Sequence, residues 1–294
     1  MSKNRITKDD LAGNTLWIAF TELVIIHLGM TIMQIAIAVI DLLFPQEDPV
    51  LADFQFNFWW LALFLIPSAM ILGYMKFTRP ESLKVFGLRQ KSKSLKTFGI
   101  GLLIGFLLNA VISLLVGLSG SVQYSFRGFS PLLLPLIPAV IIQCNCEEMF
   151  LRGYVPAFME PESKWYDAAF AGGILFIFHH TSNLMAYGYQ NGFCLNVFLI
   201  GVLEYLLIRR TGNYWAAAGF HSAWNFTQQY LFGLPNSGTI SSLALFAGEN
   251  ARDTFFFNTV YGNEGSMITT VFVALVIIVL FYQGKGIRST KPAE

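Results

Sequence analysis

Apolar stretches long enough to cross a lipid bilayer recur along the whole chain, and they constrain its fold more than any other feature. A span needs about 20 predominantly apolar residues. Eight stretches meet or approach that length: residues 16–44, 57–76, 98–119, 130–151, 168–187, 193–208, 213–233 and 266–283. With no water to satisfy the backbone inside a bilayer, each stretch reads as a helix. The first is too long for a secretory signal peptide and lacks a small-residue cleavage site. Only 13% of the residues are charged, where a soluble domain carries roughly 25%, and the mean hydropathy is +0.55. The 19 basic and 18 acidic residues nearly cancel, so no net charge recruits nucleic acid. Three cysteines provide no disulfide framework. The expected fold class is all-α, a single polytopic membrane domain over residues 1–294 with about eight transmembrane helices.

The basic residues set the expected orientation. With the N-terminus in the cytosol, eight spans put every Lys and Arg on the inner side except Arg127 and Arg252, as the positive-inside rule requires. Both termini are then cytosolic, in a multi-pass protein of the cell membrane. Residues 79–97 mix bases with Leu83, Val85, Phe86 and Leu88. They read equally as a stretch on the anionic inner surface or as a solvated basic loop. Residues 234–264 form a long outer loop, read as a lid, a lipid-contacting cap or a passive connector.

Ionisable groups inside a membrane cost roughly 2.5–3.5 kcal/mol each even on lenient scales, which makes them functional candidates. Three clusters stand out: Glu147, Glu148 and Arg152 in the fourth stretch, His179, His180 and Asn183 in the fifth, and His221 and Asn225 in the seventh. Residues four apart share a helix face. Glu148 and Arg152 are therefore expected to pair, leaving Glu147 about 100° away to face another helix. His221 and Asn225 present two hydrogen-bonding groups on one face, and Phe176 lies one turn before His180. His179 is read as structural, facing elsewhere. Glu204 is read as an interfacial acid near Arg209 and Arg210.

Taken in order, Glu147-Glu148-x-x-x-Arg152, Phe176-x-x-x-His180 and His221-x-x-x-Asn225 resemble the three motifs of the CPBP family. That family holds the type II CAAX prenyl endopeptidases and the bacteriocin-processing, self-immunity and lysostaphin-resistance proteins. The motif-bearing region is about 133–233, the expected catalytic core. The resemblance implies an intramembrane endopeptidase acting on a membrane-associated peptide or protein. Glu147 and His180 would hold and deprotonate a water, while His221 and Asn225 would donate hydrogen bonds to the tetrahedral oxygen. Glu148, Arg152 and Phe176 would support the site.

Two questions stay open at this level. Glu147, His180 and His221 match a catalytic zinc site in ligand type and number, and a metal-free glutamate mechanism uses the same residues. A non-enzymatic scaffold or bacteriocin self-immunity protein is the alternative to the enzyme, although a scaffold need not retain all four polar residues. Other intramembrane proteases fit poorly. No H-E-x-x-H occurs, and the Gly117-Leu118-Ser119-Gly120 match to a rhomboid motif lies at a span end, where it reads as a turn.

Overall fold

The computed structural model describes residues 17, 20–78, 80, 83, 91–156 and 165–282. Both termini and most of the basic stretch before Lys91 lie outside the described residues, so the expected placement of each stands as an expectation.

Helices form along all eight apolar stretches. A π-helical turn, Thr21–Ile26, leads into α1 (His27–Leu43). It is followed by α2 (Pro49–Ala62), α3 (Leu65–Thr78) and α4 (Lys91–Leu118). Next come α5 (Leu133–Glu148) with a π turn at Met149–Tyr154, α6 (Trp165–His179), α7 (Thr181–Tyr187) and α8 (Asn191–Thr211). The last are α9 (Trp215–Phe226) with a π turn at Thr227–Leu231, and α10 (Met267–Tyr282). Among the described residues, five helical stretches are long and apolar enough to cross a membrane: Val24–Leu43, Pro49–Thr78, Ser92–Leu118, Leu133–Tyr154 and Asn191–Thr211. Tyr166–His179 and Met267–Tyr282 are apolar but shorter.

Two boundaries differ from expectation for local reasons. The second stretch starts at Pro49 because Asp48 caps it, its Oδ1 accepting from the amides of Val50 (2.8 Å) and Leu51 (3.1 Å). The fifth breaks at His180, where φ −89° and ψ 11° leave the helix and the amide bonds the Ile177 carbonyl only three residues back.

Packing between α4 and α9 sets the depth of His221. A Cβ on Gly101 would lie 2.1 Å from the Ala216 carbonyl oxygen, and one on Gly105 would lie 2.2 Å from that of Phe220. Only glycine admits so close an approach, the small-residue contact by which helices associate in lipid. The far side of α4 leaves Leu103, Leu107, Leu114 and Leu118 exposed, the apolar face a lipid solvent accepts. Its inner face buries polar groups: Asn109 donates to Gln228 (3.1 Å), and Asn263 donates to Asn109 (3.2 Å) and Ser113 (2.8 Å).

The described residues are mostly helical, as expected of an all-α membrane protein, with one small two-stranded sheet. Strand β1 (Gln123–Phe126) pairs antiparallel with β2 (Phe246–Glu249), Gln123 opposite Glu249 and Phe126 opposite Phe246. Strands of four residues carry too little periodicity to be read from sequence. Residues 234–264 are thus tied down at several points. Tyr261 stacks on Phe193 at 3.9 Å and donates to the Gly188 carbonyl at 2.6 Å. Asn196 of α8 donates to the carbonyls of Glu264 (2.8 Å) and Ser266 (2.7 Å).

Candidate active site

The last turn of α5 presents Glu147 and Glu148, and the π turn that follows carries Arg152. Arg152 Nη1 lies 3.0 Å from Glu148 Oε1, the expected i,i+4 pair. Its Nη2 bonds a second carboxylate, Glu204 of α8, and all three residues are buried. The interfacial reading of Glu204 is corrected by this contact. Arg209 and Arg210 are five and six residues further along α8 and so do not share its face, whereas Arg152 does reach it. Gly201 makes room, since a Cβ there would meet Arg152 Nη2 at 3.0 Å. The guanidinium also lies over the Phe176 ring, 4.5 Å from its centroid.

His221 of α9 closes this cluster. Its Nδ1 is 2.9 Å from Glu148 Oε1 and 3.7 Å from Glu204 Oε1, and its Nε2 is 3.8 Å from Glu147 Oε2. A ring nitrogen facing an acceptor-only carboxylate carries the proton, so Nδ1 is the donor and Nε2 faces Glu147. His180 is oriented in the same way, because its Nδ1 donates to the Phe176 carbonyl at 2.8 Å. Its Nε2 is then the atom with a lone pair to offer. His179 does not face elsewhere. It is the last residue of α6, and its Nε2 lies 3.5 Å from Glu147 Oε1.

A chain of amides completes the site, and the sequence reading missed most of it. Gln143 donates through Nε2 to Glu147 Oε1. Asn225 Nδ2 donates to Gln143 Oε1 (3.4 Å) and towards Cys144 Sγ (3.4 Å). Asn225 Oδ1 accepts from Asn236 Nδ2 (3.3 Å), which also donates to Glu264 Oε1 (3.2 Å). Gln143 stands four residues before Glu147, a spacing that could have revealed it. Asn236 and Glu264 carry no such signal. Burial pushes the Glu264 carboxyl up to about 7, opposed by hydrogen bonds from the Ser237 backbone and side chain.

These groups surround a cavity of about 110 Å³ lined by Gln143, Glu147, His179, His180, His221, Asn225, Asn236 and Glu264, with room for several waters. Phe56, Trp60, Leu61 and Phe64 form an apolar wall. Glu147 Oε2 is buried and has no hydrogen-bond partner among the described residues.

Among the described residues, the trio whose ligand atoms lie within 4.8 Å of one another is Glu148, Glu204 and His221, a set that lacks Glu147 and His180. Arg152 hydrogen-bonds both carboxylates of that trio, so its guanidinium already provides their counter-charge. The trio does not suit a dication.

Fold and site together define a multi-pass helical membrane protein with a buried cluster of carboxylates and histidines at its centre. Residues 129–227 match the family model described as Type II CAAX prenyl endopeptidase Rce1-like. That stretch contains all three motifs, and the match bears out the resemblance to CPBP-family intramembrane proteases. No curated protein and no solved structure matches the chain.

Proposed function

We propose that the protein is an intramembrane endopeptidase that hydrolyses a peptide bond of a membrane-associated substrate. The observation that carries this reading is the buried, unpartnered Glu147 Oε2, facing a cavity that His180, His221 and Asn225 also line. A buried polar atom in native protein normally has a partner, and a reacting water supplies one.

Glu147 and His180 Nε2 hold the water. As its oxygen attacks the substrate carbonyl carbon, Glu147 takes the proton. The tetrahedral oxyanion receives hydrogen bonds from His221 Nε2 and Asn225 Nδ2. His221 donates as an imidazolium, the second positive charge beside Arg152 that the buried Glu148 and Glu204 carboxylates call for. Glu147 then passes its proton to the leaving amine as the C–N bond breaks. Every step uses protein groups and water, and none is routed through a metal.

The apolar wall of Phe56, Trp60, Leu61 and Phe64 supports a substrate with a bulky apolar group beside the scissile bond, such as a prenylated CAAX-type peptide or a hydrophobic peptide precursor. The catalytic core is residues 133–233 of one polytopic domain, with both termini cytosolic and residues 234–264 outside.

The test is hydrolysis of a fluorogenic prenylated peptide in proteoliposomes. Glu147→Gln keeps the size of the side chain and removes the base, so the rate should fall at least ~10²-fold while the protein melts like the parent. Cleavage by Glu147→Gln at the parental rate would overturn the mechanism.

A further inference from the structure

The side chain of an asparagine has two ends of nearly equal size, one a donor and one an acceptor. An Asn225 that donates to an oxyanion must present its NH2, and something has to fix that choice. Its two partners among the site amides are Gln143 at 3.4 Å and Asn236 at 3.3 Å, both longer than a strong hydrogen bond. Neither alone fixes the amide.

The polarity is set further out. The amide chain runs between two carboxylates, Glu147 at one end and Glu264 at the other, and an ionised carboxylate only accepts. Glu264 draws the NH2 of Asn236 towards itself, and the second hydrogen of that NH2 meets Asn225 Oδ1. With its oxygen engaged there, Asn225 turns its NH2 to Gln143 and the cavity. Glu264 also holds the turn that carries Asn236. Its Oε2 accepts from the Ser237 amide (2.7 Å) and Oγ (2.9 Å), and Ser237 has φ 47°, a left-handed conformation that a residue other than glycine rarely adopts unaided. Asn236 and Thr239 exchange both backbone hydrogen bonds at 2.8 Å, closing the turn. Glu264 is itself anchored through its carbonyl by Asn196.

We infer that Glu264, which lies outside the motif-bearing core, is a positioning residue: through Asn236 it clamps the turn at residues 235–239 over the cavity and orients the Asn225 amide with its donor end towards the substrate. This deepens the endopeptidase reading and rests on it. In Glu264→Gln the new amide can present either end, Asn236 is free to turn over, and Asn225 then offers its oxygen to the oxyanion for part of the time.

The experiment is a kinetic cycle on purified full-length protein in proteoliposomes at pH 8, using the fluorogenic peptide. Glu264→Gln and Asn236→Ala should each lower kcat about tenfold with KM unchanged. Neither should lower kcat further in an Asn225→Ala background, since both act through Asn225. A general loss of structure would instead depress yield and melting temperature and persist in that background. Parental kcat in either single variant, or an undiminished loss in the Asn225→Ala background, would overturn the inference. Asn236→Ala decides the matter if Glu264→Gln fails to fold. Amide hydrogen exchange over residues 234–239 provides a readout independent of activity. It should accelerate at least tenfold in Glu264→Gln or Asn236→Ala and stay at the parental rate in Asn225→Ala. Parental exchange in the first two would disprove the clamp. A parent that cleaves nothing would instead overturn the endopeptidase reading and leave exchange to judge the clamp.

Discussion

Glu148 and His221 are joined by a 2.9 Å contact between Oε1 and Nδ1, made on the same carboxylate oxygen that receives Arg152 at 3.0 Å. Sequence spacing assigns Glu148 to Arg152 alone and so to architecture. The contact gives it a second task, which is to fix the ring plane of the histidine that faces Glu147. Partners of this kind beyond the reacting groups commonly govern activity through orientation.

Glu148→Gln should therefore lose activity rather than stability. The amide can still accept from Arg152, but its NH2 end also competes for His221 Nδ1, and the carboxylate partner of the imidazolium in the proposed mechanism is lost. Steady-state assays should find kcat lowered about 10–10²-fold, with a melting temperature close to the parental value. Parental kcat would confine Glu148 to the ion pair.

Arg152 is the counter-charge of two buried carboxylates. Arg152→Ala strands Glu148 and Glu204 together, and breaking a buried pair by removing one partner costs about 3–5 kcal/mol. Adding Glu204→Gln removes one stranded charge and should recover part of that loss. Denaturant titration in detergent of the two single variants and the double variant measures the coupling. Simple additivity would mean that Glu204 and Arg152 do not interact energetically.

Glu264 gives the protein a pH dependence of known sign. Its folded value, about 7, lies above the ordinary 4.5, so the native state binds the proton more tightly than the unfolded chain. Stability from this group is greatest below pH 4.5, declines as pH rises through the window, and is lost by about pH 7. The full amount is on the order of 3 kcal/mol, and about 2–3 kcal/mol of it falls between pH 5 and pH 8. Ser237 faces the carboxylate through its amide and hydroxyl, Asn236 through its side chain, and His221 favours the ionised form from across the cavity. Unfolding free energies at pH 5 and pH 8 should differ by that amount more in the parent than in Glu264→Gln. Equal differences in the two proteins would refute the assignment.

The apolar stretches were legible because lipid imposes a length and a composition that any helix crossing it must obey. The Glu148–Arg152 pair was legible because four residues bring two side chains together on any regular helix. Legibility failed where regularity did. His179 meets Glu147 at the end of α6 through a contact between helices, and Arg152 reaches Glu204 from the π turn at Met149–Tyr154, neither of which any local spacing announces. Asn236 and Glu264 come to the site through turns and a two-stranded sheet, long-range structure with no period to detect. Gln143 is the exception. It obeys the i,i+4 rule with Glu147 and was readable from the start.

The adjacent histidines separate these two kinds of information. Spacing from Phe176 singles out His180, and the structure puts the His179 ring nearer to Glu147, its Nε2 3.5 Å from Oε1. Their surroundings differ in a way that assigns distinct tasks. His180 is buried, with Nδ1 committed to the Phe176 carbonyl at 2.8 Å, which leaves Nε2 as the acceptor that the proposed mechanism assigns to the water. His179 approaches Oε1, the oxygen that already accepts from Gln143, and so steadies the carboxylate rather than the water on Oε2. His180→Ala should accordingly fall as far as Glu147→Gln, at least ~10²-fold in kcat. His179→Ala should lose about tenfold or less, and His179→Asn, whose amide can still donate to a carboxylate, should recover part of it. Steady-state rates on the same peptide in proteoliposomes would measure all three. Equal losses in His179→Ala and His180→Ala, with no recovery in His179→Asn, would show that the nearer histidine holds the water and that the spacing from Phe176 points to the wrong ring.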